Sequence, residues 1–245
     1  MIDLHSHVLP GLDDGAEDLQ EALAICEAAA ADGIRVLAAT PHVRHDYPTT
    51  AEDMENALER LRAENPPIEL VRGGELDLQE LDRPTSELER FGLAGSHYLL
   101  VETPYVGWPL DLADRLLRLQ MQGFTAVLAH PERNPDVQER PNLLEPVVAG
   151  GSLVQLTAAA VDGRLGRRAM EATRALLDRE LAHLIASDAH ASSVRAIGMR
   201  DAVKSLDDSA LGRWLTEDVP RAVLEDDEPP PRPSRAPRRR LFGRR

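Results

Sequence analysis

Short apolar runs recur along the chain and are separated by longer stretches with helical periodicity. The apolar runs predict strands buried on both faces, because they are short and do not alternate with polar positions. Seven strands are predicted, at Ile2–His5, Ile34–Thr40, Glu69–Gly73, Tyr98–Val101, Thr125–Ala129, Leu153–Leu156 and Ala182–Ala186.

The stretches between the strands predict helices, since their apolar positions recur at helical spacing. In the first of them Leu19, Leu23 and Cys26 lie on one stripe, and Gly33 is a typical helix stop. The predicted helices are Ala16–Asp32, Ala51–Glu64, Leu110–Met121, Pro141–Ala149, Gly166–Arg179, Ser193–Lys204 and Ser209–Leu224.

This alternation of strands and helices predicts an α/β protein with a parallel sheet and right-handed crossovers. A doubly wound sheet would gather its functional residues at one switch point, whereas a barrel gathers them from nearly every strand at its C-terminal rim. Six of the seven predicted strands end at a histidine or carboxylate that could bind a ligand. We therefore predict an irregular (β/α)7 TIM-like barrel.

The periodicity stops after Leu224. Prolines and charges dominate residues 225–245, a composition that cannot form a core, so we predict a disordered Pro/Arg-rich tail. The sequence thus predicts one barrel domain at residues 1–224 and a tail at 225–245.

Charge and composition narrow the possible functions. The formal net charge is −14, yet residues 226–245 hold seven arginines against three acids, which leaves 21 basic and 39 acidic residues in the body. Such an acidic body argues against nucleic-acid binding. The chain has no apolar run long enough for a transmembrane helix, no signal-peptide pattern and a single cysteine, so we expect a cytoplasmic protein.

Histidines and carboxylates at the strand ends are the candidate chemistry. His5 and His7 share one face of the first strand, because residues i and i+2 of a strand point the same way. Later runs end at His42, Glu75, Glu102, His130, Asp188 and His190. Carboxylates converging on one small volume with few basic partners are costly to bury, and divalent cations would neutralise them. The pattern therefore predicts metal binding.

Several motifs together resemble a known family. They are His5-Ser-His7, Asp13-Asp14-Gly15, Thr40-Pro41-His42, Gly74-Glu75, Glu102, His130-Pro131-Glu132-Arg133 and Ser187-Asp188-Ala189-His190. They are similar to the motifs of PHP (polymerase and histidinol phosphatase) domains, and more specifically to bacterial manganese-dependent protein-tyrosine phosphatases of capsule and exopolysaccharide operons. The resemblance covers roughly residues 1–205 and implies a distorted (β/α)7 barrel, the PHP fold, with three metals at its rim.

The resemblance also implies a role for each matching residue. One metal would take His5, His7, Glu75 and Asp188. A second would share Glu75 and add Glu102 and His130. The third would take Asp14, His42 and His190. Arg133 would hold the phosphate, and metal-bound hydroxide would attack it. Mn²⁺ is the metal the family implies, while this mixed ligand set also suits Fe²⁺ or Zn²⁺.

Other residues near these motifs leave alternatives open. Asp13 could replace Asp14 as a ligand, and the family pattern favours Asp14. His42 or His190 could relay a proton to the leaving group. Thr157 stands where we expect the family to carry Asn. Residues that could line the substrate pocket are Arg44, His45, Tyr105 and Trp108.

A thiol mechanism is disfavoured, because Cys26 lies on a core-facing stripe and the residue six positions on is Asp32, not Arg.

We expect hydrolysis of phosphotyrosine on a protein partner, a bacterial tyrosine autokinase of polysaccharide synthesis. The alternatives are a small-molecule phosphatase acting on a substrate such as histidinol phosphate, or a catalytically silent metal-binding module. The arginine-rich tail could contact an anionic membrane or an acidic partner. The sequence does not set the oligomeric state.

Overall fold

The computed structural model describes residues 1–190 and 197–234. In it, seven parallel strand lines form a closed barrel, where a strand line is one strand or two successive strands that continue each other. The strands are β1 (Ile2–Asp3), β2 (Val36–Ala39), β3 (His42–Arg44), β4 (Tyr47–Pro48), β5 (Glu69–Arg72), β6 (Glu75–Leu76), β7 (Tyr98–Glu102), β8 (Thr125–Ala129), β9 (Leu153–Thr157) and β10 (Leu184–Ala186). One sheet has the order β1-β2-β5 and the other β10-β9-β8-β7-β6-β3-β4. Every pairing is parallel except that between β3 and β4.

The two sheets are the lower and upper parts of one barrel, because β2 leads directly into β3 and β5 directly into β6. The first and last strand lines close it. The Asp188 N–H donates to the His5 carbonyl at 2.9 Å, and the His7 N–H donates to the Ala189 carbonyl at 2.8 Å. Ser6 and Ala189 form a parallel bridge between these lines. The predicted seven-stranded barrel is confirmed.

Helices cover the outside of the barrel. They are α1 (Leu19–Asp32), α2 (Ala51–Ala63), α3 (Thr85–Leu88), α4 (Leu112–Met121), α5 (Pro135–Glu139), α6 (Glu145–Ala149), α7 (Ala158–Val161), α8 (Arg167–Asp178), α9 (Met199–Ser205), α10 (Ser209–Arg213) and α11 (Val219–Leu224). A π-helical turn at Trp214–Asp218 joins α10 to α11. Short 3₁₀ turns lie at Leu78–Asp82, Glu89–Phe91, Leu93–Gly95, Pro131–Arg133 and Pro141–Leu144.

Local sequence sets where these helices begin and end. Asp18 caps α1 by accepting from the Glu21 N–H, and Gly33 ends it in the left-handed region. Thr50 and Asp53 form a reciprocal capping box at the start of α2. The predicted helix at Pro141–Ala149 divides into a 3₁₀ turn and α6. Of the predicted helix Ser193–Lys204, residues 193–196 lie outside the described residues and the rest overlaps α9.

Two strand lines are interrupted just before a proposed ligand. Pro41 stands between β2 and β3, and the Gly73-Gly74 pair stands between β5 and β6. A Cβ on Gly74 would lie 2.6 Å from Phe91 Cδ1, so only glycine fits this close approach. The interruptions place His42 and Glu75 side by side in the upper sheet, where they are register partners.

The core is aliphatic and continuous between the barrel and its helices. Cys26 is fully buried in it, as predicted, and burial raises the pKa of its thiol to about 12. A buried thiol with so high a pKa is a poor nucleophile. Within the described residues, no helix is both long and apolar enough to cross a membrane.

Part of the predicted disordered tail packs on the barrel. The Trp214 indole N–H donates to the Pro230 carbonyl at 2.9 Å, and Arg232 donates to the carbonyls of Ala182 and Leu177 at 3.0 Å each. The Tyr98 hydroxyl donates to the Asp227 carbonyl at 2.9 Å. Residues 225–234 therefore differ from the expectation of disorder, because they find hydrogen-bond partners on the barrel. Residues 235–245 lie outside the described residues, and the division after residue 224 stays a prediction.

Candidate metal centre

The C-terminal ends of the strand lines bring together the histidines and carboxylates singled out in the sequence. All of them are buried except Asp14, which lies on the loop between β1 and α1 and is about one-third exposed. Parallel strands deliver their last residues to one rim, so short apolar runs that end in polar residues produce a cluster there.

The Glu75 carboxylate lies at the middle of the cluster. Its Oε2 is 3.2 Å from His5 Nε2, 3.3 Å from His7 Nε2 and 3.0 Å from His42 Nδ1. Its Oε1 is 2.8 Å from His130 Nε2. One buried carboxylate thus faces four imidazole rings.

Asp188 and Asp14 complete the cluster on the side of the closing strands. Asp188 Oδ1 lies 3.4 Å from His5 Nε2 and 3.3 Å from His7 Nε2. Asp14 Oδ1 lies 3.2 Å from His190 Nε2 and 3.5 Å from His42 Nε2.

Asp13 has a different environment from its neighbour Asp14. Its Oδ2 lies 2.7 Å from His7 Nδ1 and accepts from the His42 backbone N–H at 2.9 Å, while its Oδ1 accepts from the Gly15 N–H at 2.9 Å. The carboxylate is therefore occupied in orienting His7 so that Nε2 points into the cluster. This geometry supports the choice of Asp14 over Asp13 as a ligand.

The electrostatics of the cluster favour cations. Burial raises the pKa of Glu75, but the His5 and His42 rings outweigh it and hold the pKa well below its ordinary value. Burial and the charge of Glu75 raise the pKa of Glu102. Burial, reinforced by Arg133, lowers the pKa of His130 to about 4, so this ring is neutral and can donate a lone pair.

The donor set fits divalent metals. Among the described residues, four groups have ligand atoms within 4.8 Å of one another: His7–Asp14–His42–His190, His5–His7–Glu75, His5–His130–Asp188 and His42–Glu75–Glu102. Oε2 of Glu75 is buried and has no hydrogen-bond partner among the described residues, although it faces three ring nitrogens. A cation would satisfy this atom and relieve the repulsion between Glu75 and Glu102.

The observed groups match the sequence-based assignment in part. All three residues assigned to the third metal occur in one group, and His5, His7 and Glu75 occur in another. Glu102 and His130, assigned together to the second metal, fall in separate groups: Glu102 occurs with His42 and Glu75, and His130 occurs with His5 and Asp188. The sharing of ligands therefore stays open.

Arg133 reaches the cluster from the 3₁₀ turn after β8. Its guanidinium donates to Asp188 Oδ2 at 2.7 Å and lies 5.4 Å from the centre of the Tyr105 ring. The side chain is about one-fifth exposed, so one edge is open to an incoming group. The Asp188 carboxylate raises its pKa against the opposing effect of burial, so the guanidinium stays charged.

The four residues expected to line a substrate pocket have different positions. Arg44 donates to both carboxylate oxygens of Glu102, at 3.1 and 3.2 Å, and lies 5.1 Å from the centre of the Tyr47 ring. Tyr105 is half-exposed beside His130. Trp108 packs partly buried against the core. His45 is exposed at the turn between β3 and β4.

The sequence analysis missed one residue, Gln155, that supports the cluster. Gln155 Oε1 lies 2.9 Å from His5 Nδ1 and orients that ring as Asp13 orients His7. Glu132 is fully buried and accepts from the Thr157 N–H at 2.8 Å. The hydroxyl of Thr157 is buried without a hydrogen-bond partner among the described residues. Nothing in the structure explains a threonine at the position where we expect the family to carry Asn. A glutamine in the apolar run of β9 was the available signal.

A parallel barrel with histidines and carboxylates grouped at its C-terminal rim is typical of metal-dependent hydrolases. The sequence profile described as "Capsular polysaccharide synthesis, CpsB/CapC" matches residues 1–219. The chain therefore belongs to the CpsB/CapC family.

Relatives extend over most of the chain. Tyrosine-protein phosphatase YwqE of Bacillus subtilis is 32% identical, with 99% of each chain covered. The putative tyrosine-protein phosphatase CapC of Staphylococcus aureus is 31% identical over 80% of this chain and 79% of that protein. A solved structure from work on YwqE and on CpsB of Streptococcus pneumoniae, described as metal-dependent tyrosine phosphatases, matches with a TM-score of 0.84. It is 29% identical and covers 96% of this chain and 100% of that chain.

Proposed function

We propose that this chain is a metal-dependent phosphatase that hydrolyses phosphotyrosine on a protein partner. The observation that carries the proposal is the position of Arg133, whose guanidinium borders the His and carboxylate cluster and faces a tyrosine ring. A planar guanidinium binds phosphate oxygens in bidentate fashion. The relatives named as tyrosine-protein phosphatases support the same reading.

The residues that would hold metals are the nine clustered side chains His5, His7, Asp14, His42, Glu75, Glu102, His130, Asp188 and His190. Three divalent ions, with Mn²⁺ favoured over Fe²⁺ or Zn²⁺, would match this number of donors. When bound, they would supply the Lewis acidity that activates water and offsets phosphoryl charge.

The chain's own residues bind and orient the substrate. Arg133 would hold the phosphoryl oxygens and stabilise the charge that develops on them. Tyr105 would contact the phenol ring of the substrate, because its own ring is half-exposed beside Arg133. A phenol has a pKa near 10, so its departure needs less help from a general acid than that of an aliphatic alcohol. His42 and His190 are the candidates for donating a proton to the departing phenolate. Both rings contact Asp14, whose side chain is partly exposed to water.

The partner we propose is a bacterial tyrosine kinase of polysaccharide synthesis, acting in the cytoplasm. The description of the family, capsular polysaccharide synthesis, supports this choice of partner. The arginine-rich tail would be a second contact, with an acidic partner segment or an anionic membrane. Residues 226–232 pack near the starts of β7 and β10, on the face of the barrel opposite the metal centre.

The test is the initial rate on a phosphotyrosine peptide, with added Mn²⁺ and after chelation, for wild type and Arg133→Ala. We expect activity to vanish on chelation and to return with Mn²⁺. Loss of the phosphate-binding guanidinium should lower kcat/KM at least about 100-fold. Activity that survives chelation would contradict the metal mechanism.

Histidinol phosphate is the matched control substrate, since a small-molecule phosphatase is the second candidate function. A higher kcat/KM on histidinol phosphate than on the peptide would move the assignment to that class. A protein that binds Mn²⁺ but hydrolyses neither substrate would be the catalytically silent module.

A further inference from the structure

Exposed apolar side chains are concentrated between residues 105 and 121, which span the loop beside the metal centre and the helix α4. Across the ranges 1–190 and 197–234, the large hydrophobic residues that are exposed all lie between positions 105 and 121: Tyr105, Val106, Leu110, Leu117 and Met121. Val106 is 85% exposed and Leu110 is fully exposed. Single exposed hydrophobic residues are ordinary, but a group of them at the edge of a site marks a surface for interaction.

The loop that carries Val106 is held in place by a buried side chain. The Asn134 amide donates to the Pro104 carbonyl at 2.6 Å and to the Gly107 carbonyl at 3.0 Å, and Asn134 is 1% exposed. Asn134 directly follows Arg133. The loop is therefore fastened to the same turn that positions the guanidinium, and its apolar tip is presented to solvent by specific hydrogen bonds.

The loop lies beside the residues proposed to bind the phosphotyrosine. The Tyr105 ring is 5.4 Å from the Arg133 guanidinium and 6.5 Å from the His130 ring, so its neighbour Val106 stands at the edge of the centre. An extended chain advances about 3.3 Å per residue, so a peptide with its phosphotyrosine at Arg133 passes this edge within a few residues.

The lack of charged side chains in this loop limits the kind of contact that it can make with a partner. Residues 103–110, Thr-Pro-Tyr-Val-Gly-Trp-Pro-Leu, contain no charged side chain, although the body of the protein is strongly acidic. This segment offers neither an ion pair nor a charged hydrogen bond from its side chains. It can gain free energy from a partner only by burying apolar surface or through its backbone and its Tyr and Trp tips.

We propose that Val106 and Leu110 form a docking surface for an aliphatic residue within about three positions of the substrate phosphotyrosine. This inference rests on the proposed phosphatase function and names the feature of the substrate that the enzyme selects. The occupant is one segment of the phosphorylated protein itself. Its aliphatic side chain covers the exposed pair while the phosphotyrosine reaches Arg133.

The test compares kcat/KM of the Mn²⁺-loaded full chain on three phosphotyrosine peptides. One has only glycine and serine around the phosphotyrosine, and the others carry leucines on its N-terminal or its C-terminal side. We expect one leucine peptide to exceed the glycine–serine peptide by about fivefold or more, because part of a leucine side chain is buried. The double variant Val106→Ser with Leu110→Ser should reduce this ratio to about one.

Met121→Ser is the matched control, since Met121 is 82% exposed at the end of α4 and so lies away from the rim. It should keep the wild-type ratio. Equal rates on all three peptides, or an unchanged ratio in the double variant, would overturn the docking surface while the phosphatase function stands. Failure of wild type to hydrolyse any of these peptides would overturn both. Dimers that the double variant dissociates would identify the surface as a self-contact and would also overturn the proposal.

Discussion

Asp13 shows how much of the metal centre depends on residues that need not touch a metal. It accepts hydrogen bonds from the His42 and Gly15 backbones and lies 2.7 Å from His7 Nδ1. The result is that the orientation of two proposed ligands depends on one carboxylate.

We predict that Asp13→Asn raises the Mn²⁺ concentration needed for half-maximal activity by about 10- to 100-fold. The carboxylate now accepts hydrogen bonds from the His42 and Gly15 N–H groups. In either orientation of the amide, the NH₂ group would face one of these two donors and could not accept from it. Titration of activity with Mn²⁺ measures the effect. Asp114→Asn, on the exposed face of α4, removes the same charge outside the metal centre and should leave the titration unchanged. An unchanged midpoint in Asp13→Asn would mean that His7 is held by other contacts.

The sequence predicted which residues meet at the centre better than how they meet. His5, Glu102 and His130 follow clear apolar runs, so their arrival at one rim follows from a parallel barrel. The grouping of Glu102 with His42, and of His130 with His5, depends on side-chain directions that strand order alone does not determine. Gln155 was missed because a strand buried on both faces gives no sign of which residue faces inward.

At the scale of elements, strand lines were predictable and their interruptions were not. Thr125–Ala129 was predicted with its observed bounds, since both of its faces are apolar. The pieces β3 and β6 were missed because they are only two or three residues long and begin after Pro41 and Gly74. The helices α3, α5 and α7 have four or five residues, too few for periodicity to identify.

We predict that Gly74→Ala lowers the free energy of unfolding by about 1–3 kcal/mol, because the added methyl group overlaps the Phe91 ring and Val43. The same strain should shift β6 and weaken Mn²⁺ activation through Glu75. Urea unfolding and the Mn²⁺ titration measure the two effects. Gly150→Ala is the control at an exposed helix end, where a Cβ would come no closer than 3.3 Å to a neighbouring atom. Wild-type stability in Gly74→Ala would show that Phe91 moves freely to make room.

At the scale of the whole molecule, the described residues form two distinct ends of the barrel. The metal centre occupies the C-terminal rim, and residues 226–232 contact the opposite end, near the starts of β7 and β10. Because these contacts come from a segment rich in proline and charge, composition alone predicted disorder for them. The segment is ordered by partners distant in sequence, such as Trp214 and Ala182, and a local sequence pattern does not identify such partners.

We predict that the free energy of unfolding of a chain ending at residue 225 is about 2 kcal/mol lower than that of a chain ending at residue 234. Several hydrogen bonds and the Arg232 contact with Trp214 separate the two truncations. Thermal or urea unfolding measures the difference. Both chains should retain turnover of a small phosphotyrosine peptide at moderate temperature. Equal stability of the two would support the original boundary after residue 224.

The closing contact between the first and last strand lines also has a consequence for biosynthesis. Residues 5 and 7 are made early, yet their hydrogen-bond partners Asp188 and Ala189 are made more than 180 residues later. A nascent chain therefore carries its first two histidines without the other half of their site for most of translation. The complete metal centre can be assembled only after residues 188–190 have been made, and a chain that ends before residue 188 would be unable to assemble it.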